Sequence, residues 1–203
     1  KAEILTKCKF GANKVNFANN NLLVLSEGII LNLTELKIKY KAKDDESFFS
    51  TVLEKNSIIN EFKGNYCGII LNKISGEYIA FNNHTATKKL FYYHSTDITV
   101  IATDLYSLNF TVANLGIKTT PDIQGAYFLL TSGFMHDNFT LISEIKQVRA
   151  GEYLKCDETG HWKINTYFSL NTIQFNTLSK EDIFHELDYL YNKAIGYEFE
   201  LDK

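Results

Sequence analysis

The sequence is short of the residues that break or staple a chain. It has 1 proline and 3 cysteines among 203 residues. Cys8, Cys67 and Cys156 form no Cys-x-x-Cys pair and cannot all pair with one another, so no disulfide framework is expected and the cytoplasm is the expected compartment. No apolar run approaches the roughly twenty residues that a membrane-spanning helix needs, and no signal-peptide pattern opens the chain, so no membrane partner is expected. A basic surplus is missing too. With 21 Lys+Arg against 24 Asp+Glu the formal net charge is -3, which leaves little to neutralise phosphates, and nucleic acid is not an expected partner. Neither GxxxxGK[ST] nor GxGxxG occurs. His84, His94, His136, His161 and His185 fall into no zinc-ligand spacing, so no metal and no cofactor are expected within these residues.

What is present reads as an ordinary globular protein, 45% hydrophobic and 22% charged. A chain of this length buries about 70% of its unfolded surface and folds without staples. Sequons at Asn32, Asn83, Asn109 and Asn138 are what so Asn-rich a chain generates by chance, and are read as unglycosylated. The chain begins with Lys1 and not Met, so residues are expected upstream.

The segment Lys14 to Asn32, KVNFANNNLLVLSEGIILN, predicts two strands around an Asn-rich turn, with a break at Glu27–Gly28. A short amphipathic segment follows from Thr34 to Tyr40. Asp44–Asp45–Glu46 then opens a helix carrying Phe48, Phe49, Val52, Leu53, Ile58 and Ile59 at helical spacing, with its acids at the positive end of the macrodipole. YCGIILN, EYIAFNN, KLFYYHS and ITVIATD predict an antiparallel meander. Asp104 is placed to cap a helix, and Thr120–Pro121 to start another with Gly133 just past its end. Strands are expected at IKQVRAG, EYLKCDE and HWKINTYFSL. After a polar stretch, Ser179 caps a longer helix with Ile183, Phe184, Leu187, Leu190, Tyr191, Ala194 and Ile195 on one face.

The triplet Cys67–Gly68–Ile69 invites a catalytic reading, because a Cys-Gly-Ile start with a free α-amine is how class II glutamine amidotransferases present their nucleophile. Its setting, the apolar run YCGIIL, predicts a small buried hydrophobe with a raised thiol pKa. His84, in the polar connection FNNHTATKK, reads as a turn residue, and the run LFYYH as sheet core.

The order of segments goes further. SEGIILNLTEL, KDDESFF, FKGNYCGIILN, FNNHTATKKLFYYH and IATDLYSL follow one another as do NGEIYN, SDTE, LxGxFAF, RDxxGxKPLYY and FASExxxL. The second set belongs to the N-terminal glutaminase domain of the asparagine synthetase and β-lactam synthetase family, a class II glutamine amidotransferase domain. GAYFLLTSGFMHDNFTLISEIKQVRAGEYLKC and NTYFSL resemble that domain's later stretch, so the resemblance covers about Leu22 to Leu170. It implies an α+β fold: a four-layer αββα Ntn-hydrolase-like sandwich of two antiparallel sheets. Residues 1–170 would be the glutaminase-like domain. Residues 171–203 would be a linker and the first helix of a synthetase domain, which EDIFHELDYLYNKAIGYEF resembles.

Under this resemblance Cys67 lies on a sheet strand away from the nucleophile's strand, and no residue of the chain is a catalytic candidate. Gly28 keeps the glycine of NGE and Asp45 matches the aspartate that pairs with the α-ammonium of glutamine, so these two are the substrate-binding candidates if the site is active. Glu27 stands where the family has the oxyanion-hole Asn, and Ile29 replaces the substrate-binding Glu; Arg149 aligns with a structural turn. A carboxylate at 27 would repel a developing oxyanion, where a donor is worth about 3–4 kcal/mol.

Three readings follow. The first is a degenerate glutaminase-like scaffold for an ATP-dependent amide-forming domain. The second is an active glutaminase whose cysteine lies upstream of Lys1. The third is an unrelated α+β binding module, for which a single open sheet would speak. The expected partners are the protein's own synthetase domain, where ATP and Mg would bind, a second copy in a homodimer, and glutamine only if the site is active.

Overall fold

The structure, a computed structural model, describes residues 15–170 and 178–200. Cys8 and most of the polar stretch before Ser179 lie outside the described residues. The expected hairpin forms from β1 (Asn16–Ala18) and β2 (Leu22–Ile30), with the Asn19 carboxamide oxygen accepting from the backbone N–H groups of Asn21 and Leu22 in the turn. The expected break at Glu27–Gly28 does not occur. Pairing with β3 (Gly64–Asn72) runs uninterrupted from Leu22 opposite Asn72 to Ile30 opposite Gly64. Gly28 instead adopts φ +90 inside the ladder, where a Cβ would lie 2.0 Å from the Asn65 carbonyl oxygen. Glycine permits a close backbone approach without ending the strand.

The meander is also corrected. β3 and β4 (Tyr78–Asn82) join β8 (Glu152–Cys156) and β9 (Trp162–Thr166) in a six-stranded antiparallel sheet of order β1-β2-β3-β4-β8-β9. β5 (Phe91–His94) and β6 (Thr99–Ala102) form a separate three-stranded sheet with the two-residue β7 (Lys146–Gln147), in order β6-β5-β7. The chain changes sheets in the connection after Asn82. There the buried Asn83 amide donates to the Gly64 carbonyl at 3.1 Å and to Thr87 Oγ1 at 2.8 Å, and Asn82 Nδ2 donates to the Val148 carbonyl at 3.2 Å. These tertiary bonds fix a crossing that strand spacing alone does not encode.

Side-chain alternation sorts the molecule into four layers. α1 (Leu33–Lys39) and α2 (Asp45–Glu54) cover one face of the large sheet. Asp44 caps α2 reciprocally with Ser47, so the acids do lie at its start, as the sequence predicts, but the helix ends at Glu54, and Ile58 and Ile59 are buried from a separate short 3₁₀ helix, Asn56–Glu61. Phe48, Phe49, Val52 and Leu53 meet Tyr66, Ile70, Ile79 and Phe81 from β3 and β4. The ring pairs Phe62–Tyr66, at 5.6 Å, and Phe62–Phe81, at 5.8 Å, pack edge to face. Burying each such side chain stabilises the fold by about 1.5–3 kcal/mol.

The opposite residues of the same strands, Cys67, Ala80 and Leu154, meet Leu90, Tyr92 and Val148 between the sheets. Phe91, Tyr93 and Val100 face outward against Leu108 and Val112 of α3 (Leu105–Asn114), the fourth layer. The architecture is thus α+β with two stacked antiparallel sheets between helices, as the resemblance implies, and LFYYH is sheet core on both of its faces.

Asp104 accepts from the Ser107 N–H at 2.7 Å, capping α3 as expected. α4 (Ile123–Ser132) starts later than Thr120–Pro121 because Asp122 is the cap, accepting from the Gly125 N–H at 2.8 Å. Pro121 instead bridges Ile142. Gly133 takes the left-handed conformation at the end of α4, and Ser179 Oγ accepts from the Asp182 N–H at the start of α5 (Lys180–Glu200).

Candidate functional site

The three-stranded sheet covers only part of the inner face of the large one. Towards β2 the sheets part around a cleft of about 520 Å³, lined by Leu25, Glu27, Cys67, Ile69, Leu90 and Ile101, with Asn16, Ser26 and Thr103 contributing polar groups. β2 and β3 set its floor, because Glu27 is the direct partner of Cys67 in their ladder. At the rim, Lys88 from the sheet-switching connection places Nζ 3.4 Å from Glu27 Oε1, with both side chains half-exposed.

Cys67 is buried, as its apolar run predicts, and its Sγ donates to the Lys89 carbonyl at 3.7 Å. Burial pushes its thiol up to about 12, the Glu27 carboxylate adds to the rise, and Lys88 opposes it. A thiol held so high is protonated at neutral pH and is not a nucleophile. The Cys-Gly-Ile triplet is a piece of core.

Gly28 lies on the adjoining stretch of β2 and lines a second cleft of about 510 Å³ with Ile29, Asn65, Lys88 and Glu198. Asp45, the other substrate-binding candidate, occupies the first helical position of α2 and forms an ion pair with Lys37 of α1. Neither cleft is lined by Asp45. Ile29 adds an apolar side chain to the wall where the resemblance implies a polar anchor.

Sequence reasoning missed Lys88 and Asn65. Asn65 accepts a hydrogen bond from Thr87 and, like Lys88, stands where the sheet-switching connection returns to the cleft. The signal available was the polar run FNNHTATKK, whose pairing is tertiary. His84, read as a turn residue, does sit in that connection. Its ring packs edge-on against Tyr167 at 5.2 Å and Phe168 at 4.8 Å, and burial holds its pKa below the usual histidine range. Arg149, the single arginine, is committed to Glu152 and to Asp137, consistent with a structural turn.

Asn32 and Asn83 are buried and hydrogen-bonded, so neither sequon is open to a glycan in the folded chain. Among the described residues, no group of three or more His, Cys, Asp or Glu could hold a metal ion, and no helix is long and apolar enough to cross a membrane.

No protein-family model matches the sequence, and no curated protein matches it significantly. Solved structures do match. One is glutamine phosphoribosylpyrophosphate amidotransferase from B. subtilis in complex with ADP and GMP, at 18% identity and a TM-score of 0.44, covering 77% of this chain and 31% of that one. Another is a structure described as the allosteric regulatory enzyme of purine biosynthesis, at 18% identity and a TM-score of 0.45, covering 77% of this chain and 30% of that one. The chain therefore spans less than a third of either neighbour. A likeness at this level concerns the course of the chain and transfers no residue role.

Proposed function

We propose that this is a glutaminase-like domain that has lost its chemistry and is retained as the scaffold for an ATP-dependent amide-forming domain of the asparagine synthetase type. The observation that carries this reading is Glu27. The resemblance aligns it with the oxyanion-donor position beside Gly28, and its carboxylate lines the cleft between the sheets. An acceptor group there destabilises a developing negative charge where a working site needs a donor. The one thiol in that cleft, Cys67, is locked in its protonated form. In this reading the nitrogen donor of the amide-forming step is free ammonia or an amine on the substrate, and ATP and Mg belong to the second domain.

A second reading, a working glutaminase, draws support from Lys88, whose ammonium partly cancels the Glu27 charge. Under it the Gly28 N–H would donate to the oxyanion and Asp45 would release Lys37 to take the α-ammonium of glutamine.

Incubating the full-length protein with glutamine, and separately with a glutamine-mimicking electrophile, decides between them. The scaffold reading expects no glutamate release and no cysteine adduct in a folded protein. Glutamate release, or an adduct on a cysteine at the mature N-terminus, would replace it with the second.

A further inference from the structure

In the cleft between the sheets, an apolar cavity meets a single charge. Leu25, Ile69, Leu90 and Ile101 supply its walls, and Glu27 is the one charged residue that lines its volume of about 520 Å³. A concave, mostly apolar space of this size with few polar groups is what small organic ligands occupy.

Most of the other polar groups there are already spent. Ser26 Oγ accepts from the Val15 N–H at 3.1 Å and donates to the Val15 carbonyl at 2.9 Å, Asn16 Oδ1 accepts from the Ser26 N–H at 2.9 Å, and Cys67 Sγ donates to the Lys89 carbonyl. The Glu27 carboxylate is held more loosely. Its one ion pair among the described residues, to Lys88 at 3.4 Å, is longer than the roughly 2.7–2.9 Å of a charge-assisted hydrogen bond. Lys88 also lines the second cleft together with Glu198, so a cation that took its place at Glu27 would leave it with another carboxylate at hand.

We propose that this cleft binds a primary alkylammonium ion, its ammonium on Glu27 in place of Lys88 and its chain along the apolar walls. Charge decides the class. An anionic ligand would meet Glu27 as a like charge, and a neutral one would gain nothing from it. A metal ion needs more ligands than the site offers, since no group of three or more His, Cys, Asp or Glu that could hold one is present among the described residues. An ammonium brings three donors and needs no second acid. This site deepens the scaffold reading, on which it rests, because it gives the substrate amine named there a place in the cleft.

The test is a ligand-observed NMR titration of the full-length protein with n-hexylammonium chloride at low ionic strength, with n-hexanol and hexanoate as the uncharged and anionic counterparts. Saturable binding of hexylammonium is expected, at least about tenfold tighter than that of either counterpart. Affinity is expected to rise by up to about fourfold for each methylene added from n-butyl- to n-hexylammonium, as burial along the walls requires. Glu27→Gln is expected to weaken binding by at least about tenfold, and Lys88→Gln, which removes the competing cation, to tighten it. Glu158→Gln, exposed in the turn between β8 and β9, is expected to change nothing. Near-ultraviolet circular dichroism checks that each variant is folded. If Glu27→Gln does not fold, Lys88→Gln carries the comparison.

No saturable binding, equal binding of hexanol or hexanoate, or binding unmoved by the substitutions at Glu27 and Lys88 overturns the proposal. Glutamate release from glutamine, assayed on the same samples, keeps the two failures apart. A protein that neither binds hexylammonium nor releases glutamate has no amine site, and the scaffold reading stands without it. Glutamate release removes the scaffold reading, and the amine's part in it, whatever hexylammonium does.

Discussion

Glu27 and Cys67 face each other across the β2–β3 ladder, on the side that looks into the cleft between the sheets. The carboxylate makes a thiolate at Cys67 still harder to form than burial alone does, and Lys88 offsets only part of that. Activating a cysteine takes a neighbouring cation, a helix N-terminus or a base. The pair supplies the opposite.

Cys67 should therefore resist alkylation. With its pKa near 12, only about one thiol in ten thousand is a thiolate at pH 8, and the group is buried as well. Peptide mapping after iodoacetamide treatment of the folded protein is expected to show Cys156, which is partly exposed, modified before Cys67, with both modified in urea. Glu27→Gln removes a charge that raises the thiol pKa, so the thiolate fraction at a given pH rises. Alkylation of Cys67 near pH 10 is expected to be faster in that variant than in the native protein. An unchanged rate would show that Glu27 does not govern the thiol.

Gly28→Ala is expected to destabilise the fold by about 3 kcal/mol or more, because the new Cβ meets a carbonyl oxygen at 2.0 Å in a backbone conformation, φ +90, that L-residues rarely adopt. Gly76→Ala also has positive φ, +78, but meets nothing within 4 Å, so it isolates the conformational part of the cost at about 1 kcal/mol. Urea unfolding midpoints of the two variants measure the difference. Equal losses would mean that the contact with Asn65 relaxes freely.

Asp45→Asn separates the two functional readings by a different route. Its ion pair with Lys37 joins side chains that are 45% and 26% exposed, and surface pairs of this kind contribute between about 0 and 1 kcal/mol. A small shift in unfolding midpoint is expected, with no change in amide formation from ammonia by the full-length protein. A large loss confined to glutamine-dependent turnover would instead place Asp45 in a working glutamine site.

Much of this was legible in the sequence where the cause is local. Asp44, Asp104 and Ser179 announce their helices because a cap needs only the next three residues, and Gly133 marks an end because a left-handed turn selects it. Cys67 is recognisable as core from the apolar run around it. The misread features depend on distant partners. Glu27–Gly28 looks like a break until Asn65 is brought beside it, since a glycine can serve either a turn or a close backbone approach. Nothing in EYIAFNN and KLFYYHS tells that the chain changes sheets between them, because the Asn83 amide finds Gly64 and Thr87 only in the folded state. The Glu27–Lys88 pair is hidden for the same reason.

His84 makes the fold sensitive to mild acid. Burial against Tyr167 and Phe168 holds its pKa below the ordinary value, although a hydrogen bond involving the Asn60 backbone pulls the other way. The unfolded chain, with histidine near 6.5, then binds the proton more readily than the folded one. Stability consequently falls as pH drops through about 6.5 and goes on falling until the lower folded-state value is passed. His94, stacked on Trp162 at 4.1 Å and also lowered by burial, acts in the same direction. The capping carboxylates Asp44, Asp104 and Asp122 are shifted down by their hydrogen bonds, so their contribution is lost only below about pH 4 and stays outside this window. Urea midpoints measured between pH 7.5 and pH 5 should decline in the native protein and decline less in His84→Phe, which keeps a ring against Tyr167 and Phe168 but has no proton to bind. His84→Phe with a slope as steep as the native one would remove His84 as the cause and leave His94 and the remaining histidines to account for it.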